Sequence, residues 1–149
     1  MSLWLWNQLS FILSDYNIER SLARAAKGNV TKFFSLKIIS FEGDRAEFNV
    51  DIPDTCLNPL GTVQGGMVAS ILDEATSLTV NIYSEDKMLP NSTDIHITFH
   101  RALKKGTAKV QTKIIKYGKN IVSVEGKAFS EEGKLAATVL HTAILKSLV

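Results

Sequence analysis

Two acidic side chains, Asp73 and Glu74, sit in a stretch whose remaining residues are apolar or small. Placed on a helical wheel from residue 67 to 82, they fall on or beside an arc that also holds Ala69, Ser70, Thr76, Ser77 and Val80, with no Lys or Arg. Carboxylates in a covered place without a basic partner on the same helix commonly have a raised pKa, a chemical task, or both. The bland alternative is that one of them reaches solvent or caps a neighbouring loop. The pair Gly65-Gly66 stands where the helical pattern begins. Free N–H groups at a helix start carry partial positive charge and can hold a developing oxyanion, and glycine lets a ligand approach the backbone closely. Gly65 and Asp73 are about 12 Å apart along the axis and roughly 80° apart around it. One aspartate side chain cannot close that gap. If both act at one reacting centre, they come from different subunits, so a homodimer with two antiparallel helices side by side is required.

The elements that must position these residues follow from periodicity. The helical pattern runs over about 65–83. Its apolar arc, Met67, Val68, Ile71, Leu72, Ala75, Leu78 and Ile82 with Thr79 inside it, should face a sheet. The small-residue arc should be covered by a partner subunit. Residues 31–41 are rich in aromatic and β-branched types and read as a strand, and 45–52 alternate as a second. Four further strands are predicted over about 91–101, 106–117, 120–130 and 134–146, separated by the turn signals Lys104-Lys105-Gly106, Tyr117 to Asn120 and Glu131 to Lys134. The order is α+β: an antiparallel sheet packed on one long central helix. A single domain over 1–149 is expected, with an N-terminal helical segment over 1–30 stopped near Lys27-Gly28-Asn29.

The chain has 149 residues and a formal charge of +2, too small to mark nucleic acid as the main partner. Its one cysteine, Cys56, excludes an internal disulfide and suits a reducing, cytoplasmic location. Asp54 and Thr55 offer Cys56 no obvious base, which favours a small, partly buried side chain over a nucleophile. The apolar N-terminus lacks a signal-peptide pattern and is too short to span a bilayer. Trp4, Trp6, Phe11 and Leu13 would pack on the protein's own body or, less favoured, touch a membrane surface.

The segment Asn58 to Asp73 resembles the hotdog-fold thioesterases of the phenylacetate-pathway and thioesterase-superfamily-member type. Their motif has an asparagine, G-[ST]-x-H-G-G, then an aspartate nine residues after the histidine. Asn58, Gly61, Thr62, Gly65, Gly66 and Asp73 stand at those positions. Ser92-Thr93-Asp94 ahead of Ile95 to Thr98, the Gly118-Lys119 turn and Lys134 to Ala137 extend the likeness over about 31–147. The resemblance implies a hotdog fold and hydrolysis of an acyl-CoA thioester without a cofactor. It implies that the Gly65 N–H polarises the carbonyl and that Asn58 orients the substrate or water. Asp73 of the other subunit would serve as general base or nucleophile, and Ser92 would position water or carboxylate. Gly66, Glu74, Thr93, Arg101 and Lys119 would contribute to substrate binding, with Arg101, Lys104, Lys105 and Lys119 near the coenzyme A phosphates. A homotetramer built of two dimers is the family's expectation. Gln64 replaces the motif histidine. It keeps hydrogen-bonding capacity but cannot change charge near neutral pH.

On the strand over 91–101, Ser92, Asp94, His96, Thr98 and His100 are expected on one face, and Ile95, Ile97 and Phe99 on the other. Asp94 and His96 alone do not complete a metal site, and His141 is distant in sequence. Two other functions stay open. A hotdog hydratase or dehydratase needs a histidine beside an acid, and Gln64 removes the obvious one. A non-catalytic acyl-CoA-binding module is kept open by the same residue.

Overall fold

The structure, a computed structural model, describes residues 18–148. The tryptophans and apolar residues of the N-terminal segment up to Leu13 lie outside them. Residues 18–25 are helical (α1), followed by a short helix α2 (Val30–Phe33) and strands β1 (Lys37–Glu42) and β2 (Arg45–Ile52). A single 3-10 turn over Asp54–Cys56 leads to the long helix α3 (Gly65–Tyr83). Four strands complete the chain: β3 (Met88–Phe99), β4 (Gly106–Tyr117), β5 (Ile121–Phe129) and β6 (Leu135–Ser147).

The strands form one antiparallel sheet in the order β1-β2-β4-β5-β6-β3. Alternation in β2, β4, β5 and β6 sends one set of side chains, among them Phe48, Val50, Val110, Val124 and Val139, onto α3, where they are buried. Val68, Ile71, Leu72, Ala75, Leu78 and Ile82 meet them from the helix, as the apolar arc requires.

Three expectations change. Residues 31–36 do not extend into the sheet. Phe34 and Leu36 are buried as a plug, Ser35 between them has φ 44°, and the strand begins only at Lys37. Burial of two apolar side chains from a turn overrides the β propensity of the local sequence. The small-residue arc of α3 is covered in part by the chain's own sheet. Thr76 is fully buried, and Val80 packs with Ile114, Val122, Val124, Ala143 and Leu145. Gly126 explains how the helix comes so close: a Cβ there would stand 2.7 Å from Val139 Cγ1 and 3.1 Å from Thr76 Cγ2.

The third change concerns β3. Ser92 pairs with Ala143 and Asp94 with Thr142, so Thr93 is an extra residue in the strand, a β-bulge whose Oγ1 donates to Thr142 O at 3.0 Å. The bulge turns Ser92 to the inner face, beside buried Ala143 and away from His96 and His100. His96, Thr98 and His100 keep the outer face, where His100 Nε2 lies 3.0 Å from Thr138 Oγ1.

Candidate active site

Asp73 lies midway along α3, with its side chain 43% exposed. Ser92 Oγ donates to Asp73 Oδ1 at 3.0 Å and lies 3.0 Å from His141 Nε2. His141 comes from β6 and is 1% exposed, and its Nε2 is 3.7 Å from Asp73 Oδ1. Its Nδ1 is 2.8 Å from Thr76 Oγ1, one helical turn beyond Asp73. Burial pushes the His141 pKa down, against the opposing fields of Asp73 and Asp94, so the ring is neutral at pH 7. Side chains of β3 and β6 therefore converge on one carboxylate oxygen of α3. Among the described residues no side chain bonds Asp73 Oδ2.

The helix start is organised by Gln64, which is the N-cap and accepts from Met67 N–H through Oε1 at 3.1 Å. Its carbonyl accepts from Met67 and Val68 N–H. Gly65 and Gly66 N–H have no acceptor among the described residues, as first-turn donors of a helix do not. A Cβ on Gly66 would meet Gln64 Oε1 at 2.8 Å, so the glycine makes room for the cap. Gly65 lies under the Phe99 ring, whose Cζ would be 3.3 Å from a Cβ there. Val63, Val68, His100, Arg101 and Leu103 complete a shallow hollow around these two residues.

Asn58 is occupied by its own loop. Its Oδ1 accepts from Leu60 N–H and Thr62 N–H, and its Nδ2 donates to Thr62 Oγ1 at 2.9 Å. Glu74 does not join Asp73. It accepts from Thr31 Oγ1 on α2, a side-chain bond between two helices and not the loop cap that the wheel left open. Arg101, Lys104 and Lys105 line one hollow with Glu131 and Glu132. Arg101 donates to Leu135 O at 3.0 Å, and Lys105 pairs with Asp54 at 3.0 Å. Lys119 is at the other end of the sheet, in the turn whose Asn120 O accepts from Leu145 N–H, so within one chain the four cations do not form a single mouth. Cys56 is 1% exposed and burial raises its thiol pKa, as a small core side chain requires. No group of three His, Cys, Asp or Glu side chains converges to hold a metal among the described residues.

Sequence reasoning missed His141. It reads as one inward position of an alternating strand, and only the β5–β6–β3 order brings it beneath Ser92. A polar residue at an inward position between Val139 and Ala143 is the signal that could have found it.

A family model, the thioesterase superfamily, matches residues 60–137, and the chain belongs to that superfamily. Its sheet wrapped on one long helix is the hotdog fold. A Saccharolobus solfataricus protein to which an esterase activity is ascribed, SSO2140, is 26% identical over 74% of this chain and 79% of its own. A phenylacetic acid degradation-related protein from Ralstonia eutropha is 28% identical, with a TM-score of 0.73 over 77% of this chain and 88% of that one. The Streptococcus mutans protein smu.793, solved bound to acetyl CoA, is 17% identical, with a TM-score of 0.68 over 75% and 89%. No described helix is long and apolar enough to cross a membrane.

Proposed function

We propose that this protein is an acyl-CoA thioesterase that hydrolyses an acyl-CoA to the free acid and CoA, with Asp73 as its catalytic carboxylate. The observation that carries this is the Asp73 carboxylate, held at one oxygen by Ser92 and half open to solvent. As general base it takes a proton from water while the water oxygen attacks the thioester carbonyl. The tetrahedral oxyanion is held by a Gly65 N–H, the C–S bond breaks, and the thiolate takes up a proton. As nucleophile, Asp73 would instead form an acyl anhydride that water cleaves. A protein of similar fold, smu.793, was solved bound to acetyl CoA, which supports the choice of ligand.

The Gly65 N–H and Asp73 serve one carbonyl only across a dimer. The edge position of β3 supports one: among the described residues β3 pairs with β6 alone, and Ile95 and Phe99 on it are exposed. Consider a second copy paired antiparallel along this edge about a two-fold axis near Ile95 and His96. The partner subunit's Phe99 then lies opposite Ser92. Because Gly65 packs under Phe99, the partner subunit's helix start arrives over Asp73. Asn58 orders the loop that leads into that helix start, and the cations near Arg101 and Lys119 are left to the coenzyme A phosphates. The buried histidine does not revive a hydratase. Both its ring nitrogens have partners and it is closed from solvent, so it cannot exchange a proton with a substrate carbon.

Thiol release from short, long and aromatic acyl-CoAs tests the reading. Turnover of at least one class by the wild type, lost in Asp73→Ala, is expected; an inert wild type across all three overturns it. Sedimentation showing a stable monomer at micromolar concentration would contradict the shared site.

A further inference from the structure

The buried pair Thr76 and His141 has no access to a substrate, yet it ends on the oxygen that also binds Asp73. Ser92 has one hydroxyl proton and two neighbours at 3.0 Å, the Asp73 carboxylate and His141 Nε2. The direction of that proton depends on the histidine tautomer. With the proton on Nδ1, the bare Nε2 lone pair would face Ser92 Oγ at 3.0 Å and the carboxylate oxygen at 3.7 Å. It would then compete with Asp73 for the only proton between them. With the proton on Nε2, the ring donates to Ser92 Oγ, and Ser92 is left to donate to the carboxylate, a stronger acceptor than a neutral ring nitrogen. Nδ1 then needs a donor. The Thr76 hydroxyl supplies it at 2.8 Å, although Leu72 O at 2.8 Å and Asp73 O at 3.0 Å also lie within its reach.

We propose that Thr76 and His141 are positioning residues: they form a one-way chain, Thr76 O–H to Nδ1, Nε2–H to Ser92 Oγ, Ser92 O–H to Asp73 Oδ1, that commits the serine proton to the acid and fixes its orientation. The neutral ring agrees with this, since an imidazolium would need no donor from Thr76. Gly126 is part of the device. The gap it leaves admits the Thr76 methyl against the sheet and so brings the hydroxyl to the ring.

The proposal rests on the thioesterase reading for its kinetic arm only. Its direct arm is imidazole ¹⁵N NMR of the intact protein. The His141 signal is expected as the Nε2–H tautomer, shifting toward a mixture in Thr76→Val; a wild-type Nδ1–H tautomer overturns the chain even if the enzyme is active. In the kinetic arm, His141→Ala should lower kcat roughly 10- to 100-fold, the loss of one hydrogen bond that serves a charged group, with KM changed less than about threefold. His141→Gln, which keeps a donor toward Ser92, should recover much of the rate. In a Ser92→Ala background, His141→Ala should add little. Full kcat in His141→Ala, or losses at Ser92 and His141 that simply multiply, would refute the positioning role. If His141→Ala does not fold, Thr76→Val and His141→Gln carry both arms. An inert wild type with the Nε2–H tautomer would sink the thioesterase reading and leave the chain standing.

Discussion

Thr76 and Gly126 meet so closely that a methyl group on the glycine would stand 3.1 Å from the threonine Cγ2. The same added carbon would be 2.7 Å from Val139 Cγ1, a buried side chain of β6 with little room to retreat. Overfilling a packed core commonly costs about 1–3 kcal/mol. Gly126→Ala should therefore lower the urea midpoint by a corresponding amount and reduce turnover in the folded fraction, because the helix must lift from the sheet. Gly65→Ala is the control: its new carbon meets an exposed Phe99 ring that can swing away, so its stability loss should be well under that of Gly126→Ala. Equal midpoints for the two variants would show that the helix has slack over the sheet.

Asp73→Asn preserves shape and one hydrogen bond while removing the carboxylate proposed as base or nucleophile. A positioned acid or base contributes about 10²- to 10⁴-fold to rate, and kcat for the best acyl-CoA should fall within that range. Ser92→Ala removes one hydrogen bond to a charge and should cost less, roughly 10- to 100-fold. Steady-state thiol release measures both. A larger loss in Ser92→Ala than in Asp73→Asn would exchange their roles.

His141 gives stability a defined pH dependence. Burial lowers its folded pKa, whereas the unfolded histidine titrates near 6.5. Between those two values the unfolded chain binds a proton that the native chain refuses, so stability falls as pH drops below about 6.5. Urea titrations at pH 7 and pH 5 should show a larger loss for the wild type than for His141→Gln. Parallel losses would mean that the ring gains its proton without unfolding.

Cys56 should be silent in the native protein. It is buried, its thiol pKa is raised, and its backbone N–H is tied to Pro53 O at 3.1 Å. Iodoacetamide should label it only after denaturation, without loss of thiol release from acyl-CoA before that point. Rapid native labelling would place it at an opening of the fold.

The elements that bury one face were legible as sequence. Arg45–Ile52 alternates cleanly, and Gly65–Tyr83 carries a continuous apolar arc, so both have the bounds periodicity gives them. The strand over 31–41 failed because Phe34 and Leu36 are buried from a turn, which leaves the same apolar signal as a strand. Asp73 was legible as an acid on a helix face without Lys or Arg, although its side chain is half open to solvent in the chain itself, and Ser92 beside it was expected by resemblance. The face of Ser92 was not, because alternation assumes an unbroken register and Thr93 breaks it. Asn58 and Glu74 were legible as unusual polar residues, but their hydrogen bonds go to Leu60, Thr62 and Thr31, partners that spacing alone does not reveal.

The amide of Gln64 has a consequence for how this site responds to its surroundings. The bond from Met67 N–H to Gln64 Oε1 involves no titrating group, so the cap of α3 is the same in mild acid as in mild base. A histidine in that position would let protons adjust the helix start. Here the two halves are separated. The helix cap holds without a titrating side chain, whereas the ring beneath Asp73 is a histidine that burial keeps from taking up a proton.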